Sequence, residues 1–214
     1  MKEDKFLSGY MLHRLHVALL HTNTCNKEQA KKLIKDARPI TSSLIGQVEN
    51  LSPKNPLAPN VQFAFPILGV WLASNKTLSL DTIQKLISSA LDATLVKLFY
   101  SMYNFNNEKS SKKFLATMKK YSNWHENHPE DTNGWQYEFN DSLHSKGCYY
   151  SFKFCPIADF CIKNGYQEIA PILCSIDYAT FKLCHGKLIR EKTIAKGDNM
   201  CDFWIIGDKD NPNE

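Results

Sequence analysis

The sequence predicts an α+β fold: a helical N-terminal part followed by a small antiparallel sheet with helices packed on one face. Apolar residues recur at helical spacing up to about Tyr121, and after Trp135 the pattern switches to strict alternation. Chemistry changes with it. Residues 1–128 hold 17 Lys plus Arg against 9 Asp plus Glu, whereas residues 129–214 hold 9 against 13, together with six of the seven Cys and six of the nine Gly. The expected organisation is therefore a helical scaffold over residues 1–128 and an α+β part over residues 129–214 that carries the chemistry, as two domains or one shared core.

Each element follows from local pattern. Phe6, Tyr10, Leu12, Leu15, Val17, Leu19 and Leu20 make the apolar face of a first helix. A second helix spans Lys27 to Val48 after a cap at Thr24 or Asn26, with Pro39 expected to break or kink it. Ser52 to Pro59 has three prolines in seven positions and reads as a loop. Leu80, Ile83, Leu86, Ile87, Leu91, Leu95 and Leu98 line one amphipathic helix that starts at Ser79 or Asp81. A short helix is expected from Lys109 to Tyr121, then a linker from Ser122 to Asn133 that includes the His125/His128 pair. Trp135 to Phe139 and Cys148 to Phe154 form a hairpin. Cys155-Pro156 opens a helix that stops at Asn164-Gly165, because proline suits a first turn and glycine an end. Another helix covers Gln167 to Ala179, and strands at Lys187 to Ala195 and Asp202 to Ile206 flank a turn at Lys196 to Asn199.

Composition excludes several function classes. At 214 residues, with 43% apolar and 22% charged residues, the chain can bury a core and is no disordered chain, collagen or coiled-coil rod. A net charge of +4 without a clustered basic stripe does not suggest nucleic acid. The Lys-rich stretches at Lys31-Lys32 and Lys109 to Lys120 read as solvated helix faces. The acidic start is unlike a signal peptide, and the most apolar run, Val61 to Ala73, is too short for a membrane span. The expectation is a soluble cytoplasmic protein with reduced thiols, acting on a small molecule, with no membrane or nucleic-acid partner. No glycine-rich phosphate loop occurs, so no nucleotide cofactor is implied. Cys155 and Cys161 are six apart and Cys174, Cys184 and Cys201 are farther spaced, unlike the ligand pairs of zinc sites, so no metal is expected.

An ordered set of pieces resembles a known family: Trp135-x-Tyr137-x-Phe139, Cys155-Pro156, Glu168, Cys174-x-x-Asp177, Arg190-x-x-Thr193, Gly197 and Cys201-Asp202-Phe203. Their order and spacing are similar to the L-2-amino-thiazoline-4-carboxylic acid hydrolase family over about residues 60–206, most densely after Trp135. The resemblance implies a hydrolase that opens a small cyclic C–N bond. The family's namesake opens a thiazoline ring to give an N-carbamoyl cysteine.

Chemistry then suggests roles. Ring opening needs a nucleophile and a proton-handling group, and a cysteine thiolate is a natural nucleophile. Cys201, ahead of Asp202 at a turn-to-strand junction, is the first candidate; the plainer reading is a small buried residue. Cys174 and Asp177 are three apart and share a helix face. Asp177 is an acid/base candidate, or half of a structural ion pair with Arg190. Arg190 is alternatively a fork for a substrate carboxylate, and cannot serve both fully. His185, next to Cys184, is a second proton acceptor or a solvated loop residue. Trp135 and Tyr137 are core or a wall for a flat ring, and Thr193 and Asp202 are substrate-binding candidates. The rival reading is a non-enzymatic small-molecule or metal-sensing protein, because the arrangement also resembles 4-vinyl-reductase-type domains; a third is a family member that has lost activity.

Overall fold

A computed structural model describes residues 1–100 and 102–212. The chain divides into two compact units, Met1–Ala93 and Thr94–Glu214.

The first unit is helical: α1 Lys5–His21, α2 Lys27–Gly46, α3 Ala58–Ala73 and α4 Leu80–Leu91. Each start that has a side-chain cap uses a small polar residue, which satisfies otherwise orphaned amide groups. Asp4 accepts from Phe6 and Leu7 ahead of α1, Asn26 forms a capping box with Gln29 ahead of α2, and Ser79 caps α4. Phe6, counted on the apolar face of α1, is 79% exposed and so lies off the buried stripe. The apolar run Val61 to Ala73 belongs to α3, which is buried on nearly all sides, as expected for a helix that is hydrophobic all round. Phe65, Ile67 and Leu68 are completely buried, and each such side chain is worth about 1.5–3 kcal/mol. Gly69 lets α2 come close, since a Cβ there would stand 2.3 Å from the Thr41 hydroxyl.

Two local expectations change here. Helix α2 continues through Pro39. Burial of Ala37, Thr41, Leu44 and Ile45 outweighs a proline cost of about 3 kcal/mol. The long helix expected from Leu80 to Leu98 is two helices, α4 and α5 (Thr94–Tyr100), separated at the Asp92 cap. Leu98 is 68% exposed and so leaves the buried stripe, while the side chain of Leu95 lies outside the described ones. Among the described residues, no helix is long and apolar enough to cross a membrane.

The second unit carries the sheet. Strands β1 (Gln136–Glu138), β2 (Cys148–Phe154), β3 (Gly186–Ile189) and β4 (Cys201–Gly207) are antiparallel, in the order β1-β2-β4-β3. Helix α6 (Glu108–Glu126) and helix α9 (Ser175–Leu183) cover one face. Phe114 of α6 meets Tyr150, and Phe181 of α9 meets Phe203. The helix-covered face carries Cys148, Tyr150 and Phe152 of β2 opposite Ile205, Phe203 and Cys201 of β4. The other face carries Tyr149, Ser151, Asp202 and Trp204, with His144 stacked on Trp204 at 3.8 Å. Helix α7 (Pro156–Lys163) starts at Cys155-Pro156 and ends at Asn164, with Gly165 in the left-handed region as its sequence predicts.

Three boundaries moved. Helix α6 runs five residues past Tyr121, into the expected linker. His128 stacks on Trp124 and bonds its carbonyl, Asn127 caps the end, and His125 lies 3.5 Å from the buried Asp131. The helix expected from Gln167 to Ala179 is two, α8 (Ala170–Leu173) and α9, joined at Cys174. Strand β3 ends at Ile189, because the Asp202 carboxylate takes the Glu191 and Lys192 amides and residues Ile194–Lys196 form a 3-10 turn.

Candidate active site

Cys201 begins β4 on the helix-covered face and is 4% exposed. Its sulfur nonetheless has polar company. The Ile194 amide donates to it at 3.3 Å, and the Thr193 hydroxyl lies 3.4 Å away. The same hydroxyl lies 3.9 Å from the Cys174 sulfur, so one threonine joins two thiols. Cys174 occupies the joint between α8 and α9, and Asp177 stands in the first turn of α9. Cys174 and Asp177 interact electrostatically across this helix junction, where one long helix was expected.

The Arg190 Nη2 donates to the Asp177 carboxylate at 2.9 Å, and its Nε donates to the Asp202 carbonyl at 3.1 Å. Its guanidinium lies 3.9 Å over the Phe203 ring and 5.5 Å from that of Tyr178. The Arg190 side chain is 3% exposed and that of Asp177 is 36% exposed, so the pair reaches solvent through the carboxylate. Burial works against the Arg190 charge, and Asp177 more than restores it. Burial raises the Asp177 carboxyl above its ordinary value, against the pull of Arg190.

Two further residues join this cluster. Cys155 caps α7 and interacts electrostatically with Cys201 and Asp177. Burial pushes its thiol up to about 12, although the Ala158 and Ile157 amides at the helix start oppose this. The sequence marks Cys155 as a helix opener, a piece of the family resemblance and a poorly spaced metal ligand, but not as a site residue; its signal was the Cys-Pro pair, which puts a thiol on a helix N-terminus. Tyr150, stacked on Phe203 at 4.8 Å, is held protonated by burial and by Asp177. Nothing in an alternating aromatic strand distinguishes Tyr150 from core. Burial also raises the Cys174 thiol, with Asp177 adding to it.

The remaining candidates lie apart or are occupied. Tyr137 pairs with Phe152, which pairs with Cys201, so all three share one row of the sheet. Its ring meets Phe152 edge-on at 5.0 Å, and burial raises its hydroxyl. Trp135 is 2% exposed and belongs to the core. Asp202 points to the opposite face from Cys201, where its carboxylate is filled by the two loop amides. His185 pairs with Asp208 at 3.4 Å beyond the far end of β4. Seven residues of strand separate that end from Cys201, about 20 Å at the usual rise. His185 is therefore not part of the thiol cluster.

All seven cysteines are free. Among the described residues, no group of three or more His, Cys, Asp or Glu side chains is placed to hold a metal ion. The arrangement is a buried sulfur with an amide donor and a hydroxyl partner, beside a cation and a partly exposed carboxylate. That set can stabilise a thiolate and move a proton.

No curated protein and no solved structure matches the chain. The family model described as L-2-amino-thiazoline-4-carboxylic acid hydrolase matches residues 65–205, about two thirds of the sequence. That span takes in all of the cluster and every strand but the last residues of β4. The chain belongs to the L-2-amino-thiazoline-4-carboxylic acid hydrolase family.

Proposed function

We propose that this protein hydrolyses a small nitrogen-containing ring, thiazoline-like and carrying a carboxylate, with Cys201 as nucleophile. The observation that carries the reading is the convergence of the Ile194 amide and the Thr193 hydroxyl on the Cys201 sulfur, within electrostatic range of Arg190. Family membership supports the hydrolase class.

The chemistry is a two-stage substitution. The Cys201 thiolate adds to the ring carbon flanked by heteroatoms, and the π electrons move onto the ring nitrogen, which takes a proton. The intermediate collapses, the ring opens, and the carbon stays on sulfur. Asp177 then removes a proton from water, the hydroxide adds to the same carbon, and the Cys201 thiolate departs. The net change is addition of one water. In a lactam-like or hydantoin-like ring the π electrons move instead onto the carbonyl oxygen, and their return expels the ring nitrogen, which takes the proton, so the bond that opens is C–N. In an aminothiazoline the ring sulfur is the better leaving group, so the ring opens at C–S and the nitrogen remains in a urea. Arg190 opposes the burial that raises the Asp177 carboxyl, and draws the substrate carboxylate with the N–H groups left over. Tyr137 supplies a flat wall along the row that ends at Cys201.

The test is turnover of 2-aminothiazoline-4-carboxylate and of hydantoin-like rings by Cys201→Ala and Cys201→Ser. Both variants should lose activity by about 10³-fold or more. Undiminished turnover in both would remove Cys201 as the nucleophile.

A further inference from the structure

The segment between Arg190 and Cys201 is held by carboxylates that play no part in the reaction just described. Asp198 Oδ2 accepts the Thr193 amide at 2.8 Å, and the Asp198 amide donates back to the Thr193 carbonyl at 3.3 Å. Gly197 turns the chain between them in the left-handed region, with φ of 96°. The Lys196 amide also donates to the Thr193 carbonyl, and the Gly197 amide to that of Ile194. From the other side Asp202 fixes the Glu191 and Lys192 amides. Thr193 and Ile194 sit between these two clamps, and they are the residues whose hydroxyl and amide meet the Cys201 sulfur.

We infer that Asp198 is a positioning residue for the nucleophile: its carboxylate closes the turn that aims the Thr193 hydroxyl and the Ile194 amide at Cys201. The inference rests on the reading of Cys201 as nucleophile and goes beyond it. Asp198 is exposed and touches the sulfur only through the turn. Without its acceptor the Thr193 amide turns to water, the turn loosens, and the two groups leave the sulfur. The charged and titratable groups facing Cys201 from the packed elements are Cys155 at the start of α7, Cys174 between α8 and α9, and Arg190 after β3. None of them changes in an Asp198 variant, so the effect of the turn can be read separately.

The experiment compares wild type with Asp198→Ala and Asp198→Asn in the full chain. The rate of Cys201 alkylation by iodoacetamide is followed by peptide mass spectrometry from pH 6 to 11. In Asp198→Ala, alkylation should fall about five-fold, the loss expected when one hydrogen bond to the reacting sulfur is removed. In Asp198→Asn the side-chain oxygen still accepts the Thr193 amide, so most of the wild-type rate should return. With substrate, kcat should fall in Asp198→Ala while KM holds. Should Asp198→Ala fold poorly, Asp198→Leu, which also lacks an acceptor, serves the same comparison. An alkylation profile in the Ala or Leu variant equal to that of wild type, or a wild-type Cys201 that resists alkylation throughout, overturns the proposal. If the profile moves as expected while Cys201→Ser still turns over substrate, the turn stands and the nucleophile assignment falls.

Discussion

The Arg190 guanidinium lies over the Phe203 ring, 3.9 Å from its centroid, on the face of β4 that also carries Cys201. Only a planar cation can stack there and still reach both the Asp177 carboxylate and the Asp202 carbonyl. Arg190→Lys keeps the charge and loses the stack and the fork. It should lose about 2 kcal/mol of stability, measured as a lower urea midpoint. A lysine variant as stable as wild type would show that charge alone holds this pair.

Asp177→Asn removes the proposed water-activating base and keeps the shape. Its kcat should fall about 10²-fold or more. Burial raises the Asp177 carboxyl, and the ionised form is the active base, so wild-type kcat/KM should rise with pH through a limb above the ordinary carboxylate range. That limb should vanish in the variant. A profile that keeps it would assign the limb to another group.

Thr193→Val exchanges a hydroxyl for a methyl at the point between the Cys174 and Cys201 sulfurs. Stability should change by less than about 1 kcal/mol, whereas kcat/KM should drop about ten-fold at constant KM. Equal loss of kcat/KM and of folding stability would mean the residue only packs.

The buried thiols predict an alkaline limit. Burial pushes Cys148 and Cys161 up to about 12. Above about pH 8.5 the unfolded chain releases these protons and the folded chain keeps them, so stability falls as pH rises toward 12. Each thiol contributes about 1.4 kcal/mol per pH unit in that window. Urea titrations from pH 8 to 11 should therefore show a shallower decline in Cys161→Ala than in wild type, from a lower starting stability caused by the cavity. An unchanged slope would mean that Cys161 ionises alike in both states.

Fold class and most element starts are legible in the residues alone, because they depend on chain neighbours. Asn26, Ser79 and Pro156 mark helix starts through local amide groups, and the alternation at Cys148 to Phe154 marks a strand through the pleat. The sequence also singled out Cys201, Cys174, Asp177, Arg190 and Thr193 through an ordered set of motifs, and the fold brings these five side chains together. Where elements stop, and what their side chains meet, is set by long-range packing. Strand β3 ends at Ile189 because a carboxylate thirteen residues on, at Asp202, takes the Glu191 and Lys192 amides, and α2 survives Pro39 because α3 buries its face. Likewise Cys155 and Tyr150 entered the cluster, and His185 fell outside it, through pairings across the sheet and a helix junction at Cys174. Such contacts join residues far apart in the chain, and no local pattern records them.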